Sequence, residues 1–112
     1  MPVVIAGDHN ALTFEDYSAE QLDSITRIKK QNGRELPVNE LTTVMKERGY
    51  VDCWQMSASK VGPLSTCRYG TRIDYIWVST SFIERFTPVH TDTIDMIGPG
   101  ITDHNMVVCS FE

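Results

Sequence analysis

Between Arg72 and Ser79 the chain alternates with period two, and both of the resulting faces are largely apolar. Ile73, Tyr75 and Trp77 fall on one face of the implied strand, and Asp74, Ile76 and Val78 fall on the other. Such a strand has to be covered on both sides. At about 25 cal/mol per Å² of apolar surface, leaving several of these side chains wet forfeits energy comparable with the whole stability of a small domain. The same stretch places a carboxylate, Asp74, on a face that is otherwise hydrocarbon. A buried carboxylate is costly unless it is paired. Its partner is either an arginine, Arg68 or Arg72, or a histidine whose tautomer and charge it would fix.

The remaining pattern is that of an α/β chain. Val3-Val4-Ile5-Ala6 is a continuous apolar run ending at Gly7-Asp8, which predicts a strand buried on both faces. Ser18 and Gln21 fit a capping box ahead of Leu22, Ile25 and Ile28, with Asn32-Gly33 as the stop. A second helix is predicted from Pro37-Val38-Asn39 to Gly49, with Val38, Leu41, Val44 and Met45 as its apolar stripe. Both helices are amphipathic and are expected to lie on a sheet. Phe86 to Ile94 holds a weaker strand, which Pro88 assigns to an edge. Gly98-Pro99-Gly100 reads as a turn and Asn105 to Phe111 as the last strand.

At 112 residues, 41% hydrophobic and 22% charged, the composition is that of a single globular domain. A net charge of -5 argues against binding nucleic acid through bulk positive potential. It leaves a phosphate-ester substrate open, because a carboxylate-held cation can supply positive charge locally. Cys53, Cys67 and Cys109 form no C-x-x-C pair and no complete disulfide set. With no targeting segment and no apolar run of membrane-spanning length, they predict free thiols in an intracellular, cytoplasmic protein.

Three short segments put chemistry-bearing side chains at strand ends. In Gly7-Asp8-His9-Asn10, Asp8 leaves the C-terminal end of the first strand, where α/β sheets place ligands. Asp8 and Asn10 either build a turn or present an acceptor and an amide to a water. Arg72-Ile73-Asp74-Tyr75-Ile76 carries the carboxylate already described. Thr102-Asp103-His104 precedes the last strand, as a turn with a solvated histidine or as a carboxylate and an imidazole in two separate roles. Elsewhere the plain reading prevails. Glu15, Glu20, Glu35 and Glu40 are expected at the surface. His9 is expected as an environment residue and His90 as a surface one. Trp54 and Trp77 are read as core or sheet-facing aromatics. Arg27, Lys29, Lys30 and Arg34 are read as a solvated helix face.

Taken in order, the three segments resemble the endonuclease/exonuclease/phosphatase (deoxyribonuclease I-like) superfamily. Its members carry a Gly-Asp-x-Asn segment after a central strand, an Arg-Ile/Val-Asp-Tyr-Ile/Val strand, and a Ser/Thr-Asp-His segment before the last strand. The resemblance runs from about Pro2 to Phe111. It implies that residues 1–112 are the C-terminal half of such a domain. The implied fold is half of a four-layer α/β sandwich, a mixed β-sheet with two amphipathic helices on one face. It implies hydrolysis of a phosphate ester by in-line attack of water, assisted by Mg²⁺ or Mn²⁺. Asp8 would activate water or lie next to the phosphate, and Asn10 would position it. Asp74 would orient His104, and His104 would stabilise or protonate the phosphoryl group. Asp103, with Asp8, would stand on the metal side.

One departure accompanies the resemblance. The family's N-terminal half supplies a metal-holding glutamate and the second sheet, and no motif here matches them. The expected partners are therefore a phosphate-ester substrate, nucleic acid or small ester, together with a complementing N-terminal half or a second copy in a homodimer. The expected open apolar surface is that of Ile73, Tyr75 and Trp77, or of Ile76 and Val78. The alternative function is a catalytically silent, self-associating module. Substrate choice would rest with loops 11–17, 57–71 and 91–101.

Overall fold

A computed structural model describes residues 1–112. Its α/β character is as expected, with the strands divided between two three-stranded sheets. The first contains β1 (Val4–Asp8), β4 (Asp74–Val78) and β2 (Val51–Asp52), in the order β1-β4-β2, all antiparallel. The second contains β3 (Ser59–Val61), β5 (Pro88–Ile94) and β6 (Met106–Phe111), in the order β3-β5-β6. Its β3–β5 pair is parallel and its β5–β6 pair antiparallel. The helices are α1 (Ala19–Gln31), α2 (Glu40–Glu47) and two single turns, α3 (Cys53–Met56) and α4 (Thr80–Ile83). The molecule is a slab of 46 × 34 × 21 Å. No helix is long and apolar enough to cross a membrane.

The strand at Arg72–Ser79 forms as its alternation demands. Tyr75, Trp77 and Val78 are buried, and Ile76 is half-buried. Trp77 and Tyr75 stack at 5.5 Å. Asp74 and Ile76 share a small cavity with Thr91, Thr93 and Val107, and through it the two sheets meet. Only 18 of the 112 residues are buried, and ten of these are polar, so the core is held by hydrogen bonds as much as by hydrocarbon. Arg72 is the largest polar member. Its Nε donates to Asp16 at 2.8 Å, and Nη1 and Nη2 donate to the two Asp52 oxygens at 2.9 and 2.7 Å. Two carboxylates and a bidentate fork satisfy the buried guanidinium, the arrangement that such a charge requires.

Several expectations are corrected. The Val3–Ala6 run does form β1, but its residues are exposed or half-exposed. β1 pairs with β4 alone, so its outer edge has no neighbour and its faces lack full cover. β5 is the centre of its sheet, not an edge. Pro88 is tolerated because it is the first strand residue and sits at the register irregularity between Pro88 and His90, where a ladder N–H is not needed. The α1 capping box is present, with Ser18 Oγ accepting from Gln21 N and Gln21 Oε1 from Ser18 N. However, α1 buries no residue and α2 buries only Thr42, while Leu41 and Val44 stay 44% and 45% exposed. Thr42 is held by its hydroxyl, which donates to the Leu12 carbonyl at 2.7 Å, so α2 is anchored by a polar contact and not by its apolar stripe.

The open apolar face also differs from the expected one. β4 is covered, whereas the β3-β5-β6 sheet leaves one face open. Cross-strand register puts Val61, Asp92 and Val108 in one row of it and Ile94 with Met106 in the next. Val61, Ile94, Met106 and Val108 are 52%, 37%, 45% and 40% exposed. The three cysteines are free, with Cys53 and Cys67 buried.

Candidate active site

The three segments singled out in the sequence converge. Asp8 and Asp74 are direct partners in the β1–β4 register and so point to the same side of the sheet. His104 is brought to them by backbone ties. Thr66 accepts from Ile73 N and Asp74 N with its hydroxyl, at 2.9 and 3.1 Å, and from Asn105 N with its carbonyl at 2.8 Å. A bridge between Cys67 and His104 extends this contact. The Asn105 side chain donates to Ser65 O and accepts from Met96 N, which fixes the chain on either side of the histidine.

The result is a carboxylate–imidazole pair. His104 Nδ1 lies 2.8 Å from Asp74 Oδ2, which selects the histidine from the partners left open for Asp74. Arg72 is committed to Asp16 and Asp52, and Arg68 bonds to Tyr69. His104 Nε2 points toward Asp8, with 3.9 Å to its Oδ2. The hydrogen bond to Asp74 is the main influence on the imidazole and holds its pKa above the ordinary histidine value. Partial desolvation opposes this, and the charges of Asp74, Asp103 and Asp8 reinforce it. When protonated, the imidazole between two opposed carboxylates also offsets the repulsion of Asp8 and Asp74 across the ladder.

At the Asp8 segment the turn forms. Asp8 Oδ1 accepts from Asn10 N at 2.8 Å, and Asn10 adopts φ 51°, a left-handed conformation that asparagine tolerates. The turn leaves Asp8 Oδ2 free on the histidine side. His9 packs its ring 5.4 Å from Tyr75 and donates its N–H to Ile73 O, as an environment residue. His90 bonds through Nδ1 to Ser59 at 2.9 Å on the other sheet, away from the cluster.

Asp8, Asp74 and His104 offer ligand atoms within 4.8 Å of one another, so they are the group that could hold a metal ion. Asp103 is not part of that group. Its carboxylate meets Thr102 at 3.4 Å, while its backbone carbonyl accepts from Arg68 N. It does line the same cleft, a space of about 360 Å³ shared with Asp8, Asn10 and His104. With His104 Nδ1 on Asp74 Oδ2, the oxygens left in that group are those of Asp8 and the second oxygen of Asp74, and Asp103 stands further off on the cleft wall. One or two carboxylates beside waters and substrate oxygens are the donor set of an open, hydrated divalent-cation site and not of a closed all-protein cage. The rest of the cleft wall was not foreseen. Lys29, Arg34, Arg68 and Tyr69 face it, so part of the helix face read as merely solvated borders the candidate site.

No protein-family model and no curated protein matches the sequence. Solved structures do match the fold. One is a conserved protein of unknown function from Enterococcus faecalis, with a TM-score of 0.63 and 16% identity. Another is the endonuclease/exonuclease/phosphatase from Bacteroides vulgatus, with a TM-score of 0.59 and 18% identity. Each alignment takes in 99% of this chain and 36% of the other. The chain therefore has the fold of part of an endonuclease/exonuclease/phosphatase-type α/β sandwich and spans about a third of the length of the structures it matches.

Proposed function

We propose that this chain carries the phosphate-handling side of a metal-dependent phosphoesterase. The observation that supports this most is the His104–Asp74 pair at 2.8 Å, with the second ring nitrogen turned toward Asp8. Asp74 fixes the ring and favours its protonated form. Nε2–H is then the donor available to a phosphoryl oxygen. Asp8, with one oxygen free, would take a proton from an attacking water or hold a cation, and the Asn10 amide beside it would orient the phosphate. Asp8 and Asp103 would hold Mg²⁺ or Mn²⁺, which supplies positive charge to the developing phosphorane-like oxygens. The reaction breaks a P–O ester bond and forms a P–O bond to water, with the leaving oxygen taking a proton.

The test is hydrolysis of bis(p-nitrophenyl) phosphate with Mg²⁺ or Mn²⁺ by the chain and by His104→Ala. Activity that requires His104 supports the reading. Activity that survives the substitution removes His104 from it.

A second reading rests on the open face of the β3-β5-β6 sheet. Four part-exposed apolar side chains in two adjacent rows are more than a monomer usually leaves uncovered. They fit a chain that associates through this face, with a second copy or a complementing segment, and is silent without it.

A further inference from the structure

The wall of the Asp8–His104 cleft formed by the end of α1, the residues after it and the 67–71 loop is basic and aromatic. Lys29, Arg34, Arg68 and Tyr69 all line it. The guanidinium carbon of Arg34 lies 3.8 Å from the centroid of the Tyr69 ring, and that of Arg68 lies 4.9 Å from it. Arg68 Nη2 donates to the Tyr69 hydroxyl at 2.7 Å, which draws the phenol below its ordinary pKa. None of the three cations forms a salt bridge, although Glu35 and Asp103 border the same cleft.

This is an unusual concentration of charge in a chain of net charge -5. Two guanidiniums gathered at one ring with no carboxylate in salt-bridge contact raise each other's electrostatic energy, which Asp103 offsets only from a distance, and an anion brought by a ligand relieves it. Each guanidinium presents a planar fork that matches phosphate oxygens. The ring contacts restrict both side chains beforehand, so less freedom is lost on binding. A cleft of about 360 Å³ also has room for more than one phosphate group.

We propose that Arg34 and Arg68, gathered about Tyr69, form with Lys29 of the same wall a second anion subsite in this cleft. The ester that binds here carries two phosphates, one met by His104 and Asn10 and one by the arginines. The assignment of the first phosphate rests on the phosphoesterase reading; the second stands on the arginines alone. A 5′-phosphorylated oligonucleotide end and a polyol bisphosphate share this chemistry.

The test is calorimetric titration of the full chain, without metal, using two ligand pairs. One pair is thymidine dinucleotide with and without a 5′-phosphate. The other is myo-inositol 1,4-bisphosphate against myo-inositol 1-phosphate. The doubly phosphorylated member of at least one pair is expected to bind about tenfold more tightly. Combining Arg34→Gln with Arg68→Gln is expected to erase the difference, while Arg27→Gln, on α1 but outside the cleft, preserves it. Both arginines are exposed, so the substitutions leave the core untouched. The pair that shows the preference identifies the source of the second phosphate. Equal binding within both pairs overturns the proposal, as does a preference that survives the double substitution or no binding at all. If the preference holds but hydrolysis is indifferent to His104→Ala, His104 leaves the phosphoesterase reading and the anion subsite stands; if the preference holds and no hydrolysis is seen, that reading falls and the subsite still stands. If His104 is required and no preference exists, the subsite alone falls.

Discussion

Asp8 and Asp74 face each other as partners across the β1–β4 ladder, and His104 lies against both, 2.8 Å from Asp74 and 3.9 Å from Asp8. Two carboxylates in that register repel unless a cation intervenes, and a protonated His104, which both carboxylates favour, is placed to be that cation. The charge of His104 is therefore tied to the structure of the strand pair as well as to any chemistry.

The first prediction concerns that charge. Asp74 raises the His104 pKa in the folded chain above its unfolded value. The associated stabilisation is fully present below the unfolded pKa and is lost as pH rises through the folded one. An NMR titration of the imidazole should show His104 losing its proton at a higher pH than a histidine in a short peptide, and Asp74→Asn should bring it down. Identical curves for the chain and the variant would show that Asp74 does not control the ring.

Asp74 and Asp8 should separate in kinetics. If the chain hydrolyses phosphodiesters, Asp8→Asn and His104→Ala should each lower kcat by about 10²–10⁴. Asp74→Asn should lower kcat less and shift the pH profile toward acid, because it acts through the ring. Steady-state rates across pH distinguish the two outcomes.

Arg72 is a stability residue. Arg72→Ala would leave Asp16 and Asp52 with uncompensated charge in a region where their side chains are 6% and 1% exposed. The expected loss is about 3–5 kcal/mol, and Arg72→Lys should recover little of it because one ammonium cannot replace the fork. Urea denaturation measures both. A loss below about 1 kcal/mol for Arg72→Ala would contradict the network's role.

Gly62 should not tolerate a side chain. It sits at φ 88°, and an added Cβ would collide with the Thr93 carbonyl where β3 passes β5. Gly62→Ala should destabilise by more than about 1 kcal/mol and loosen β3, read as faster amide exchange at Lys60 and Val61.

Association should run through the open sheet face. Light scattering at micromolar concentration is expected to report a species larger than a monomer, and Val108→Lys with Met106→Lys should dissociate it. A stable monomer from the unsubstituted chain would end that reading.

Much of the candidate site's geometry was legible because its residues lie in short segments. Asp8, Asn10, Asp74 and His104 each lie beside an apolar strand whose period or composition could be read directly. The α1 start was legible for the same reason, since a capping box is local. What escaped is non-local. Whether β1 is central or at an edge depends on which strands pair beside it, and the apolar run Val3–Ala6 carries no record of that. Pro88 suggested an edge because the bulge that accommodates it forms only against Phe111 and Ser110. β2 and β3 are two and three residues long, too short to show a period. Arg72 looked like one option for Asp74, because nothing in its neighbourhood announces Asp16 and Asp52. The cationic wall was missed because Arg34 and Arg68 are 34 residues apart in a numbering that only the fold brings together.

Thr66 has a consequence for how the chain acquires its chemistry. Its hydroxyl and carbonyl together join the entry of β4 to the segment just after His104. The histidine cannot reach Asp74 until residues 104–105 have docked there, and Asp8 arrives separately on β1. No contiguous stretch of the polypeptide holds the Asp8–Asp74–His104 cluster. Until then the imidazole is an ordinary exposed side chain, and its change of proton affinity reports chiefly that the His104 segment has docked on β4.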